Sequence, residues 1–167
     1  MQSIPRLAAV FMMVAAGLTS CGNATGPIRL ASAPEEFTFH TGGFGAESRS
    51  YEVRGDTVVF RRSLPFAPPP VRVDSLRRVP SSSEWRTFWA AAEAAGVHYW
   101  RSEYRNPDIV DGGGFTMHLR ADGRTINTSG SNAYPNRRGL QKFDMPPEFS
   151  EFVAALDALL GPRPLSL

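Results

Sequence analysis

The sequence predicts an α+β fold, in which an antiparallel sheet carries two helices on one face and the elements follow the order strands, helix, strands, helix. Two observations support this class. Apolar and polar residues alternate on both sides of two-residue turns at Gly55-Asp56 and Asp122-Gly123, a pattern typical of β-hairpins. After each of these β blocks, apolar residues recur at helical spacing. Such elements pack as one layer of strands and one layer of helices around a core.

The first β block starts with Phe37-Thr38-Phe39-His40, which alternates between apolar and polar residues. Segments 49–54 and 57–62 then flank Gly55-Asp56, and glycine in the first place suits a type II′ turn. The resulting register pairs apolar residues on one face of the hairpin, Val53 with Val58 and Tyr51 with Phe60. Because the other face is mostly polar, we expect one side of this hairpin to face the core.

A proline-rich segment follows the hairpin. Residues 64–80 contain five prolines. Proline lacks the amide hydrogen that a sheet requires, and proline-dense segments favour an extended polyproline conformation. We therefore expect this segment to cross the surface as a connection, without joining the sheet.

The first helix has clear signals at both ends. Ser81, followed three residues later by Glu84, forms a capping box, and Gly96 is suited to end the helix. Four apolar residues between them share one face: Trp85, Phe88, Trp89 and Ala92. This spacing is typical of a helix face that is buried in a core.

The second β block is predicted to begin at Val97 and to run to about Tyr104. After a loop, residues 115–120 alternate up to Asp122-Gly123, and the hairpin register pairs Leu119 with Ile126 and Met117 with Thr128. A closing helix starts near Pro146-Pro147 and ends at Gly161-Pro162. Its apolar face comprises Phe149, Phe152, Val153, Leu156 and Leu160.

The N-terminal segment has the parts of a bacterial secretion signal. Arg6 precedes an apolar run of 12 residues, 7–18. At about 1.5 Å per helical residue this run reaches about 18 Å, which is shorter than the hydrocarbon core of a bilayer, about 30 Å. It therefore predicts a processed signal peptide rather than a transmembrane helix.

The end of this run, Leu18-Thr19-Ser20-Cys21, resembles the lipobox of bacterial lipoproteins. The resemblance implies that a diacylglyceryl group is attached to the thiol of Cys21, that cleavage makes Cys21 the N-terminus, and that its amine is acylated as well, commonly with palmitate. Gly22 stands where an aspartate would indicate retention in the inner membrane, so the resemblance favours the outer membrane. The chain is thus divided into a signal peptide (1–20), a lipid-anchored flexible tether (21–36) and a single α+β domain (37–167).

Composition gives no support to nucleic-acid binding. The formal net charge is +2, and of the 18 basic residues only Lys142 is a lysine. The preference for arginine accompanies abundant Ala, Gly and Pro, which is typical of a GC-rich genome. We predict no nucleic-acid partner.

The sequence contains no motif for nucleophilic or metal-dependent catalysis. It has no G-x-S-x-G segment, and the lipidation that the lipobox resemblance implies would consume Cys21, its one cysteine. His40, His98 and His118 are scattered without metal-ligand spacing. We therefore assign no catalytic residue, metal site or cofactor.

The alternative is an envelope hydrolase that uses carboxylates of an acidic loop together with a histidine. Glu103, Asp108 and Asp111 supply the carboxylates, and His98 or His118 supplies the base. Aspartate and glycine are also what a turn between two strands requires, so the same residues fit a purely structural role.

The surface best suited to recognition joins two loops at one end of the second hairpin. The register places Phe115 opposite Gly130, so residues 111–114 lie beside residues 129–135. Loops of this kind, rich in glycine and small polar residues, contact peptides or saccharides. The predicted ligand-contact residues are Tyr104, Asp111, Ser131, Asn132 and Tyr134.

Gly42-Gly43-Phe44, followed by a hairpin, a helix, a second β block and a closing amphipathic helix, resembles the layout of emfourin-type inhibitors of bacterial metallopeptidases. The resemblance rests on the triplet and on the order of the elements, and it assigns no inhibitory residue. It favours binding over catalysis. The expected function is that of a lipid-anchored envelope protein, held at the membrane by its acyl chains, whose non-catalytic domain binds an envelope protein or peptide.

Overall fold

The computed structural model of the chain describes residues 30–64 and 73–162. The strands are β1 (Glu36–Gly43), β2 (Ser48–Arg54), β3 (Thr57–Ser63), β4 (Val73–Arg78), β5 (Glu103–Arg105), β6 (Gly113–Ala121), β7 (Arg124–Ser131), β8 (Tyr134–Pro135) and β9 (Gln141–Lys142). The helices are α1 (Ser82–Ala94) and α2 (Pro147–Ala158), and a 3₁₀ turn covers Val97–Tyr99. The order of strands, helix, strands and helix confirms the predicted α+β class.

Within the described residues, seven strands form one sheet in the order β4-β3-β2-β1-β6-β7-β5. Every neighbouring pair is antiparallel except β5 and β7, which run parallel. The predicted registers are confirmed, with Val53 opposite Val58 and Leu119 opposite Ile126. Both hairpin turns have the positive φ angles that their residues favour, +64° at Gly55 and +53° and +68° at Asp122 and Gly123.

Helices α1 and α2 cover the same face of this sheet. The Phe88 ring of α1 meets the ring of Phe37 edge to face at 5.9 Å, and the Phe152 ring of α2 meets that of Phe39 at 5.6 Å. Ser81 caps α1 in the predicted capping box with Glu84. The opposite face of the sheet carries mostly polar side chains and is called the open face below.

The core between the helices and the sheet is rich in aromatic residues. Aromatic pairs prefer tilted or edge-to-face arrangements, which add to the free energy gained by burial. Phe39 is one of several rings with four aromatic neighbours, which lie 5.6–6.3 Å away: Tyr51, Phe115, Phe149 and Phe152.

Two predicted features of the chain are wrong. The predicted strand from Val97 to about Tyr104 forms only at its end, as β5, because Gly96 adopts a left-handed conformation (φ +71°) and residues Val97–Tyr99 close a 3₁₀ turn. The segment 64–80 does join the sheet, because Val73–Arg78, which contains no proline, pairs with β3 as the edge strand β4. The prolines at positions 65 and 68–70 lie outside the described residues.

The predicted tether is shorter than expected on its C-terminal side. Leu30 and Ala33 pack against the core, and the indole nitrogen of Trp89 donates a hydrogen bond to the carbonyl oxygen of Ser32 (2.9 Å). The folded domain therefore includes residues from Leu30 onward that the sequence analysis assigned to the tether. The predicted signal peptide, Cys21 and the rest of the tether lie outside the described residues.

Strand β1 defines the two ends of the sheet. Glu36 lies opposite Arg120, next to the hairpin turn at Asp122-Gly123, whereas Gly43 lies opposite Gly113. We call the first the turn end. The second, formed by residues 42–44, 109–114, 131 and 132, is called the glycine end. No helix among the residues that the structure describes is long and apolar enough to cross a membrane.

Candidate functional site

Glycine residues allow three segments to meet at the glycine end. Gly42 and Gly43 of β1 pair with Gly114 and Gly113 of β6. The structure leaves no room for a side chain at Gly43, because a Cβ there would overlap the carbonyl oxygen of Gly112. Glycine is required here because the backbones approach so closely.

Backbone hydrogen bonds hold these segments together. The amide of Phe44 donates to the carbonyl of Gly112 (3.2 Å), and the amide of Asn132 donates to the carbonyl of Gly113 (2.8 Å). The side-chain amide of Asn132 donates to the carbonyl of Ile109 (3.3 Å). The loop before β6 is thereby tied to β1 on one side and to the end of β7 on the other.

Large apolar side chains project into solvent from this framework. Phe44 is 77 % exposed and Val110 is 96 % exposed, and Ile109 beside Val110 is exposed as well. Single exposed apolar residues are ordinary, but clusters of them indicate interaction sites. The sequence analysis missed these three residues. The sequence pattern that could have revealed them is an aromatic residue among glycines, Phe44, and a β-branched pair inside a polar turn, Ile109-Val110.

Four of the five predicted ligand-contact residues lie at or beside the glycine end. Asp111 and Ser131 are exposed, and Asn132, which is partly buried, adopts a left-handed conformation (φ +51°). Tyr134 connects this end to the core, since its ring stacks on that of Phe115 at 6.1 Å and contacts that of Phe149 at 5.1 Å.

The fifth predicted contact residue, Tyr104, belongs to the core. Its side chain is 1 % exposed, and its hydroxyl donates to the carbonyl of Gly139 (3.1 Å) and accepts from the amide of Arg101 (2.7 Å). A buried tyrosine generally requires such partners for its hydroxyl. Tyr104 therefore positions loops and does not present a surface to a ligand.

One candidate base of the hydrolase alternative, His118, is engaged by other side chains. His118 lies on the open face, where its Nδ1 is 2.6 Å from Oδ1 of Asn127 and its Nε2 is 3.0 Å from Oε2 of Glu36. The hydrogen bonds to Asn127 and Glu36 raise the pKa of His118 above its ordinary value, because both stabilise the protonated ring. His118 thus links β7, β6 and β1 and makes no hydrogen bond with Glu103 or Asp111.

His98 lies elsewhere, in the 3₁₀ turn, with its ring 3.9 Å from that of Tyr99. It borders a cavity of about 10 Å³ together with Trp89 and Val97, which is room for about one water molecule. Across residues 30–64 and 73–162, no group of three or more His, Cys, Asp or Glu side chains is arranged to hold a metal ion. No model of a known family matches the chain, and no curated protein matches it significantly.

The glycine end predicts opposite outcomes for two neighbouring substitutions. We expect Gly43→Ala to lower the free energy of unfolding by about 1–3 kcal/mol, since the added methyl group must displace backbone. Gly113→Ala should change it by less than about 0.5 kcal/mol, because a Cβ there meets the hydroxyl of Tyr134 at an ordinary 3.4 Å. Urea denaturation of both variants measures the difference. Equal effects would show that the two strands do not approach as described.

Proposed function

We propose that the protein is a lipid-anchored component of the bacterial envelope, held through Cys21, whose domain binds a protein or peptide partner through the glycine end. The observation that carries the binding role is the exposure of Phe44, Ile109 and Val110 on a hydrogen-bonded framework. The lipobox resemblance supports the anchor and, through Gly22, favours the outer membrane.

The glycine end combines two properties that favour protein binding. Exposed aromatic and β-branched side chains provide apolar area for a partner to cover, and aromatic residues are frequent energetic centres of interfaces. The paired glycines and the three hydrogen bonds fix the backbone, so little conformational entropy is lost when a partner binds. Asp111 and Ser131 supply polar groups at the margin of the apolar cluster.

The exposed Phe44 also belongs to the triplet on which the resemblance to emfourin-type inhibitors rests. This resemblance makes bacterial metallopeptidases the first class of partner to test. The hydrolase alternative has less support, because His118 is engaged by Asn127 and Glu36. Separate substitution of Asp111, Glu103 and His118 distinguishes the two, since a hydrolase would lose its activity with any one of them.

The binding role is tested by cross-linking the membrane-anchored protein in its native host and recovering it with its partner. We expect Phe44→Ser to reduce the recovered partner at least about tenfold, as the loss of an aromatic anchor does. Val79→Ser is the matched control, because Val79 is also exposed but follows β4 at the turn end. Equal recovery with both variants would contradict the proposed surface.

A further inference from the structure

A second surface lies along the edge of the sheet at β5. Gln141 of β9 binds this strand through its side chain, which accepts from the amide of Arg105 (3.2 Å) and donates to its carbonyl (2.8 Å). The hydroxyl of Tyr104 donates to the carbonyl of Gly139. Gly139 in turn packs closely against the carbonyl oxygen of Tyr99. These contacts bring segments 99–105 and 137–143 together. We call their exposed basic and large apolar residues the basic edge: Tyr99, Arg101, Arg105, Arg137, Arg138, Leu140, Lys142 and Phe143.

The cations of the basic edge differ from most others in the domain. Arg49, Arg62 and Arg78 each pair with a carboxylate, as do Arg54, Arg61 and Arg120. In the described part of the chain, none of the five basic-edge cations forms an ion pair: Arg101, Arg105, Arg137, Arg138 and Lys142. Segments 99–105 and 137–143, with the two residues after each, carry five cations and two carboxylates, Glu103 and Asp144. Their net charge is therefore +3, which exceeds the +2 of the whole chain.

Apolar side chains accompany this positive charge. Tyr99, Leu140 and Phe143 are each more than half exposed. Basic residues beside exposed aromatic and aliphatic side chains are typical of surfaces that lie in the interface of an anionic membrane, where the cations meet headgroups and the apolar groups enter the acyl boundary.

The N-terminal chain packs against a part of the domain that adjoins the basic edge. Ser32 accepts a hydrogen bond from Trp89, and Trp89 borders the same small cavity as His98, whose ring contacts Tyr99 of the basic edge. Nine peptide units join Cys21 to Leu30, and a chain of that length reaches at most about 32 Å. An acylated Cys21 would therefore hold the basic edge close to the bilayer.

We propose that the basic edge docks the domain onto the anionic phospholipid surface to which the chain is anchored. The proposal rests on the lipid anchor of the proposed function. The basic edge adjoins the glycine end, because Arg105 of β5 pairs with Ser131, and the proposal gives the domain a defined side toward the membrane.

The test uses unacylated residues 22–167, which include every core residue that the structure describes, from Leu30 to Leu160. Sedimentation measures its binding to vesicles of equal parts phosphatidylglycerol and phosphatidylcholine, and to vesicles of phosphatidylcholine alone. We expect binding to the anionic vesicles only, weakening as salt is raised from about 0.05 M to about 0.5 M. The double variant Arg137→Glu, Arg138→Glu should bind anionic vesicles at least about 25-fold more weakly, because each arginine near the surface strengthens binding about fivefold.

The matched control is Arg54→Glu, Arg77→Glu, which changes the net charge equally but on β2 and β4, across the sheet from β5. We expect it to bind anionic vesicles within about twofold of the parent chain. Absence of binding, equal binding to both vesicle types, an equal loss in the control, or tighter binding to polyglutamate than to vesicles would each overturn the proposal. Because this chain carries no acyl group, such a failure is separate from a failure of the anchor.

Discussion

Replacement of Phe39 by alanine is expected to lower the free energy of unfolding by about 3–5 kcal/mol. Phe39 is 1 % exposed, and its ring lies within 6.3 Å of the centroids of four other aromatic rings. Truncation removes the transfer free energy of the ring and leaves a cavity that these stiff neighbours fill poorly. Since a domain is typically stable by about 5–15 kcal/mol, a large part of its stability would be lost.

Urea denaturation of Phe39→Ala and Phe143→Ala measures this difference directly. Phe143 is 59 % exposed, so its substitution should change the free energy of unfolding by less than about 0.5 kcal/mol. A loss below about 1 kcal/mol in Phe39→Ala would contradict a core centred on this ring.

A Cys21→Ala protein is expected to lose acylation and to move from the detergent phase to the aqueous phase on phase partitioning. Each buried methylene group contributes about 0.8 kcal/mol to membrane binding, so two or more acyl chains hold a protein firmly and their loss releases it. This effect is the largest that we expect from one substitution, because the proposed anchor depends on a single sulfur atom.

Ser20→Ala is the control for this experiment. It keeps a small residue before Cys21, as the lipobox requires, and should partition like the parent protein. Unchanged partitioning of Cys21→Ala would show that the N-terminal segment is not a lipoprotein signal.

The hairpins and helices were predictable because their signals are local. Gly55, Asp122 and Gly123 determine turn geometry within two residues, and each register then follows from alternation along the strands. The capping box at Ser81 likewise depends only on Glu84 three residues later.

The errors arose where contacts that the alternation of residues does not encode decide the structure. Tyr99 and Trp100 favour strands by propensity, but Gly96 turns the chain and the indole nitrogen of Trp100 donates to the carbonyl of Ala95 (3.1 Å). Strand β4 depends on pairing with β3, reinforced by the ion pair between Arg62 and Asp74 (2.6 Å). The periodicity of the sequence reveals neither the turn after Gly96 nor the pairing of β4 with β3.

The sequence predicted where some residues of the proposed site lie in the fold, but not which segments surround them. Register alone placed Asp111, Ser131 and Asn132 at one end of the sheet. The partnership of this end with Gly42-Gly43-Phe44 required the pairing of β1 with β6, which joins segments about seventy residues apart in the chain. The exposed apolar cluster becomes visible only after these strands are paired.

Site-specific photo-cross-linking in the native host tests the binding role of the glycine end most directly. A photoactivatable residue replaces Phe44, Val110 or, as the control at the turn end, Asp56, which is also exposed. We predict that positions 44 and 110 form the same adduct with one envelope protein and that position 56 does not. The absence of an adduct at both 44 and 110, or the same adduct at all three positions, would contradict the proposed function.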